Sequence, residues 1–204
     1  MRKIPSEIEN PFDDLLINIS EYLAPYYKQL NFTANGITTL SLITGIYSIF
    51  LYTNQYYYLS ALFFIISYYF DCQDGYFARR YNESSQFGDY YDHIKDIIIN
   101  ASIGILLFLQ YFQIKSNIKY IILIIVILIL ATLQVHMGCQ EIYFNKNPES
   151  SQVLNPLKKL CPAKNKNDIY NVMQYTKFFG SGTFILLIVV LILLSPLIDN
   201  KILL

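Results

Sequence analysis

The chain has 204 residues, 54% of them hydrophobic, and its 15 basic residues balance 15 acidic ones. That length suits a single domain spanning 1–204, and the lack of a basic excess argues against a nucleic-acid partner. Cys72, Cys139 and Cys161 have no paired spacing and suggest neither a disulfide framework nor a zinc site.

The N-terminal MRKIPSEIENPFDD is too acidic and polar for a signal peptide. A helix is predicted over 8–30. Asn10 suits the N-cap and Pro11 the first helical position, and Asp13 and Asp14 complement the helix dipole. Phe12, Leu15, Leu16, Ile19 and Leu23 share one face, which predicts an amphipathic helix lying in a membrane interface.

Apolar runs then set the class. A spanning helix needs about 20 mostly apolar residues. Such runs fall at about 36–54, 56–79, 90–113, 118–142 and 172–198. A domain this small could not cover so many all-apolar surfaces in water. The expected fold is an all-α, polytopic membrane helix bundle with five clear spans. A sixth could be hidden in 143–175 or made by splitting 171–198. The polar stretch 143–170, rich in turn formers, reads as a loop outside the membrane. Orientation follows from basic residues. A cytoplasmic N-terminus places eleven of the 15 on that side, Arg79, Arg80 and Lys95 among them. Lys115, Lys119 and Lys201 lie on the other side, with Lys177 at a boundary. That bias makes 143–170 and the charged stretch near 79–95 cytoplasmic.

The charged stretch YFDCQDGYFARRYNESSQFGDYYDHIKDI, 69–97, sits between two apolar runs. On a helix, Asp71, Asp74, Gly75 and Ala78 share a face, with Arg79 at its edge. Gly88, Asp92 and Asp96 repeat every four residues on the next helix. Two helices meeting at these faces bring four carboxylates together, which demands a compensating cation. Oxygen-only ligands imply a hard ion, Mg²⁺, Mn²⁺ or Ca²⁺, and such sites commonly serve phosphate transfer. A merely solvated loop would explain the charges but not their register with glycine and alanine.

Asp71-x2-Asp74-Gly75-x2-Ala78-Arg79-x8-Gly88-x3-Asp92-x3-Asp96 resembles the complete signature of the CDP-alcohol phosphatidyltransferase family. With eight fixed positions, a chance match is on the order of 10⁻¹⁰ per starting point. The stretch TANGITTLSLITG loosely resembles the family's Pro-Asn-x-Ile-Thr opening, with Ala34 in place of proline. The resemblance implies two divalent ions, Mg²⁺ or Mn²⁺, on Asp71, Asp74 and Asp92, with Asp96 joining the second ion or acting as general base. It implies that Gly75 and Ala78 leave room for the cytidine nucleotide, that Arg79 meets its phosphates, and that Asn35, Thr38 and Gly88 line the nucleotide site. No soluble cofactor beyond the ions is implied. A CDP-alcohol donor, a lipid acceptor and a homodimer come with it, in the endoplasmic reticulum of a eukaryote or the inner membrane of a bacterium.

Arg80, Ser84, Ser85, Asp89 and His93 make the stretch resemble the choline/ethanolamine phosphotransferase branch most. There, the histidine is a candidate for deprotonating the diacylglycerol hydroxyl. His136, on an apolar span, reads as structural. Enzymes of that branch are about twice as long, and compact relatives use CDP-diacylglycerol with inositol, glycerol phosphate or serine. Outside the family, a membrane prenyltransferase would leave Gly75, Ala78 and Arg79 unexplained. A non-catalytic relative would be expected to lack a ligand, and none is missing.

Overall fold

The computed structural model describes residues 2–144 and 155–199. Seven α-helices follow one another with no strand among the described residues: α1 (Pro11–Gln29), α2 (Ala34–Thr53), α3 (Tyr57–Tyr81), α4 (Gln86–Tyr111), α5 (Ile118–Phe144), α6 (Lys166–Thr176) and α7 (Ser181–Asp199). Four stretches are long and apolar enough to cross a membrane: Ala34–Thr53, Gln86–Tyr111, Ile118–Phe144 and the run Lys166–Asp199. The second expected span is a helix of 25 residues, α3, but is not one of these four. Its tyrosines and its charged C-terminal part lower its hydropathy. The expected span 172–198 is broken by a 3-10 turn at Lys177–Phe179. Of the expected loop, 145–154 lies outside the described residues. Asn155–Leu160 forms a 3-10 turn and α6 already begins at Lys166. The polar sequence of α6 hid it. Only 6% of the apolar window of α5 is buried, a surface that suits lipid rather than water.

The described chain forms two compact units, Leu16–Ile121 with the chain from Ile185, and Arg2–Leu15 with Ile122–Phe184. In the first, α2 and α3 are joined by a short turn in which Gln55 adopts a positive φ of 64°. They meet along small residues that exchange hydrogen bonds. Ser41 Oγ donates to the Ser67 carbonyl (2.9 Å) and Ser67 Oγ to the Ser41 carbonyl (2.8 Å). Ser48 and Ser60 do the same at 2.8 and 2.9 Å. Each hydroxyl serves the opposite backbone, so the helices approach closely with no polar group left to lipid. Gly45 lies in the same seam, where an added Cβ would sit 2.3 Å from Ile99 Cδ1 of α4. At the far end of α4, Gln110 Nε2 donates to Asp199 Oδ1 (2.8 Å) and to Tyr57 Oη (3.1 Å). Tyr111 Oη donates to the Leu191 carbonyl at 2.7 Å. These bonds tie the C-terminal end of α4 to α7.

In the second unit, Ile4, Ile8, Cys139, Ile169 and Met173 form a buried core. Asn10 caps α1 as expected, its Oδ1 accepting from the Phe12 N–H at 3.0 Å. Its Nδ2 donates to the Lys177 carbonyl (2.7 Å) and to Thr183 Oγ1 (2.8 Å). Glu9, beside it, is only 6% exposed. Burial, reinforced by the nearby Asp13 carboxylate, pushes its carboxyl up to about 7, against the N–H of Asn10 that favours the ionised form. His136 is buried, with Nδ1 2.8 Å from Thr176 Oγ1 and Nε2 2.8 Å from Gln140 Nε2. Both ring nitrogens are thus engaged by neighbouring side chains.

Two expectations change here. Cys139 and Cys161 form a disulfide, 22 residues apart in sequence, while Cys72 is not part of it. The fold brings them together because α5 packs so closely on the 3-10 turn Asn155–Leu160 that Gly138 faces the Leu157 carbonyl, and Cys161 directly follows that turn. A Cβ there would lie 2.1 Å from that oxygen. The apolar face expected on α1 is also divided. Leu16 is buried, whereas Leu15 is 54% and Ile19 40% exposed.

Candidate functional site

Three helix ends of the first unit build the site: the N-terminus of α2, the C-terminal part of α3 and the first turns of α4. Each end is locally specified. Thr33 caps α2, its side chain accepting from the Gly36 N–H at 3.1 Å, and Ser85 caps α4 through the Gly88 N–H at 3.0 Å. Helix α3 ends at Asn82, in the left-handed region at φ 56°, which asparagine tolerates better than most residues. Glu83 then joins the ends, accepting from the Ala34 N–H (2.9 Å) and from Lys28 Nζ (2.7 Å). Burial of Glu83 opposes its ionisation, but these two donors outweigh it and hold the carboxyl below its usual value.

The two aspartate-bearing faces do meet. Asp71, Asp74 and Asp92 each offer an oxygen, all within 4.8 Å of one another, and Asp92, His93 and Asp96 form a second such group. Asp74 is only 5% exposed, and its Oδ2 is buried without a hydrogen-bond partner. A buried carboxylate oxygen in that condition is costly unless something is to bind it. Three carboxylate oxygens so placed suit a hard divalent ion.

Lys95, read from sequence as one of the cytoplasmic basic residues, is instead the cation of this cluster. It is 1% exposed. Its Nζ pairs with Asp71, lies 2.9 Å from Asp92 Oδ1 and 2.9 Å from Asp96 Oδ1, and donates to Ser41 Oγ at 3.3 Å. The Asp92 oxygen is at ion-pair distance but off the geometry of a hydrogen bond. Asp74 has no such pairing with Lys95.

Beside the cluster opens a cavity of about 170 Å³. Its walls include Asn35, Thr38, Asp74, Gly75, Ala78, Arg79, Gly88 and Asp92, so most residues of the sequence pattern face one space. Ser84, Ser85 and Asp89 also line it, as do Ala34 and Glu83, which the pattern did not single out as site residues. A Cβ on Gly75 would lie 3.3 Å from an Arg79 guanidinium nitrogen, so the glycine first makes room for that arginine. A Cβ on Gly88 would lie 3.0 Å from Asn35 Oδ1, so this glycine lets α2 and α4 approach. Two helix N-termini and Arg79 thus bring anion-favouring groups to the same cavity as the carboxylates of Asp74 and Asp92.

Asp71 and Asp96 lie outside this cavity, on a smaller one of about 20 Å³ that Tyr68 and Asn100 also line. His93 lines neither. Its Nε2 is buried without a hydrogen bond, 3.6 Å from Asp89 Oδ1. Arg80 turns away and donates to the Glu21 carbonyl and to Tyr76 Oη, each at 3.2 Å.

A helical chain with four membrane-competent stretches and a polar, carboxylate-rich cavity at its helix ends has the make-up of an integral membrane enzyme. Residues 31–203 match the model of one family, CDP-alcohol phosphatidyltransferase, and the chain belongs to it. Members are transferases of substituted phosphate groups that act in phospholipid synthesis, taking the transferred group from a CDP-alcohol, and divalent-metal use is typical of them. No curated protein and no solved structure matches the chain.

Proposed function

We propose that this chain moves phosphocholine or phosphoethanolamine from a CDP-alcohol to the hydroxyl of diacylglycerol, releasing CMP. The observation that carries the reading is the single cavity into which Asp74, Asp92, Arg79 and the N-termini of α2 and α4 all face. A nucleoside diphosphate ester needs that pairing of an anion-favouring wall with a carboxylate wall for a cation. The carboxylate of Asp89 on the same cavity supports a cationic head group.

In this reading Asn35 and Thr38 face the nucleotide, and Arg79 takes the phosphates. Asp71, Asp74 and Asp92 would hold a divalent ion, Mg²⁺ or Mn²⁺, which when bound neutralises charge on the diphosphate. The acceptor oxygen attacks the β-phosphorus, the bond from that phosphorus to the bridging oxygen breaks, and its electron pair leaves with CMP. The hydroxyl proton passes to a base within hydrogen-bond reach. His93 is the candidate for that base, because its Nε2 has no hydrogen-bond partner while Lys95 pairs with an oxygen of Asp96. The two-ion expectation requires Lys95 to withdraw from the cluster.

The same proposal lays α1 in the membrane interface, on the exposed Ile19, Tyr22 and Tyr26. It keeps the homodimer on the family resemblance alone, and the site facing the cytoplasm. With Lys95 withdrawn from the count, ten basic residues still stand against three. The disulfide pulls the other way, since a reducing cytoplasm keeps thiols reduced.

The test is CMP release by purified protein in lipid with Mn²⁺ or Mg²⁺, diacylglycerol, and CDP-choline or CDP-ethanolamine. Release that falls at least about a hundredfold in Asp92→Asn supports the proposal. Release only with CDP-diacylglycerol plus inositol, glycerol phosphate or serine replaces the donor. Silence with every donor marks a non-catalytic relative.

A further inference from the structure

The carboxylate cluster has two sides, and the structure treats them differently. Towards Asp96, the oxygens of Asp71, Asp92 and Asp96 converge on one buried ammonium, Lys95 Nζ, itself held by Ser41. Towards Asp74, a buried oxygen has no partner, although Asp71 and Asp92 offer oxygens within 4.8 Å. A lysine that is 1% exposed and bound by three carboxylates is not a solvated surface charge. Nor can it readily move out. Its ammonium is held by these carboxylates on one side and by Ser41 Oγ of the α2–α3 seam on another.

We propose that Lys95 is a built-in cation that takes the place of one of the two divalent ions. Its ammonium occupies the Asp71–Asp92–Asp96 side, so the chain binds a single divalent ion, on the Asp71–Asp74–Asp92 side. The inference deepens the transferase reading and rests on it for the identity of the ion's task. Charge supports it. One ammonium and one dication bring three positive charges to four carboxylates. Two dications beside the ammonium would bring five and would force like charges onto shared oxygens. Lys95 is a positioning residue in this scheme. It holds Asp71 and Asp92 at the spacing the single ion uses.

The proposal is tested by titrating the purified full chain in detergent with Mn²⁺ alone and counting bound ions by electron paramagnetic resonance. The expected result is one bound Mn²⁺ per chain, with no signal of a coupled ion pair. Lys95→Gln should bind two and show that coupling. Should Lys95→Gln not fold, Asp74→Asn and Asp96→Asn decide with the wild type. The first should lose the ion and the second keep it, with affinity changed less than about tenfold. Two ions on the wild-type chain, or an ion lost equally in both aspartate variants, overturns the proposal. CMP release measured in parallel separates the two claims. Release from a chain holding two ions removes this inference and leaves the transferase. One ion with no release from any CDP-alcohol leaves this inference and removes the transferase.

Discussion

Glu9 offers a pH test of how the N-terminal segment is held. It is 6% exposed, and burial together with Asp13 pushes its carboxyl from the usual 4.5 up to about 7. An acid with a raised folded value contributes fully to stability below its unfolded value and loses that contribution as pH rises through the folded one. Here the loss begins near 4.5 and is complete above about 7. At 1.36 kcal/mol per pH unit, that interval corresponds to about 3 kcal/mol. For a chain of this size, that is about 6–12 °C in melting temperature. Glu9→Gln removes the charge while its amide oxygen can still accept the Asn10 N–H. Melting of both proteins in detergent should therefore give similar midpoints near pH 4.5, with the variant increasingly the more stable up to pH 8. Every other titrating group is common to the two, so the difference isolates Glu9. Parallel curves across that range would refute the argument that this carboxyl is buried against Asp13.

Three further outcomes follow from close contacts. Gly138→Ala places a methyl 2.1 Å from the Leu157 carbonyl, a backbone atom that cannot swing aside. It should cost about 3 kcal/mol or more, read as a lower melting temperature. Arg79→Lys keeps the charge but loses the planar fork that faces the cavity, so KM for the CDP-alcohol should rise about tenfold while folding is unchanged. Maleimide labelling in denaturant should modify Cys72 alone before reduction and all three cysteines after it. Three labelled cysteines without reductant would instead remove the objection to a cytoplasmic 143–170 segment.

Much of the site was legible because its residues sit at helical spacing on two sequence neighbours, α3 and α4. Periodicity alone places Asp71, Asp74 and Asp92 near one another once these helices pack. Asn35 and Thr38 were reached only through the family resemblance of the stretch around them, not through a helix start read at Thr33. What the pattern missed lies between its fixed positions or far from them. Lys95 is three residues after Asp92 and reads as part of a solvated face until α2 and α3 close over it. The Cys139–Cys161 pair depends on how the chain returns after α5, which no local spacing records. Helix α6 is polar enough to read as loop, and the charges that make the site keep α3, read from sequence as the span 56–79, out of the four membrane-competent stretches.

Those charges pose a question of membrane chemistry: how can a dense acidic cluster form at the ends of apolar helices? The structure answers it by turning the carboxylates towards one another and towards Lys95, away from lipid. The compensation is deliberately incomplete. One ammonium pairs with three of the four aspartates, and one buried oxygen of Asp74 is left without a partner. On the proposed function, the carboxylates of Asp74 and Asp92 oppose a diphosphate in this cavity until a cation joins them, whatever Arg79 and the helix N-termini supply. Only after a divalent ion has entered do the two walls favour the same ligand. On the proposed function the expected order is therefore cation first and nucleotide second, with Lys95 setting how much positive charge the first step must bring.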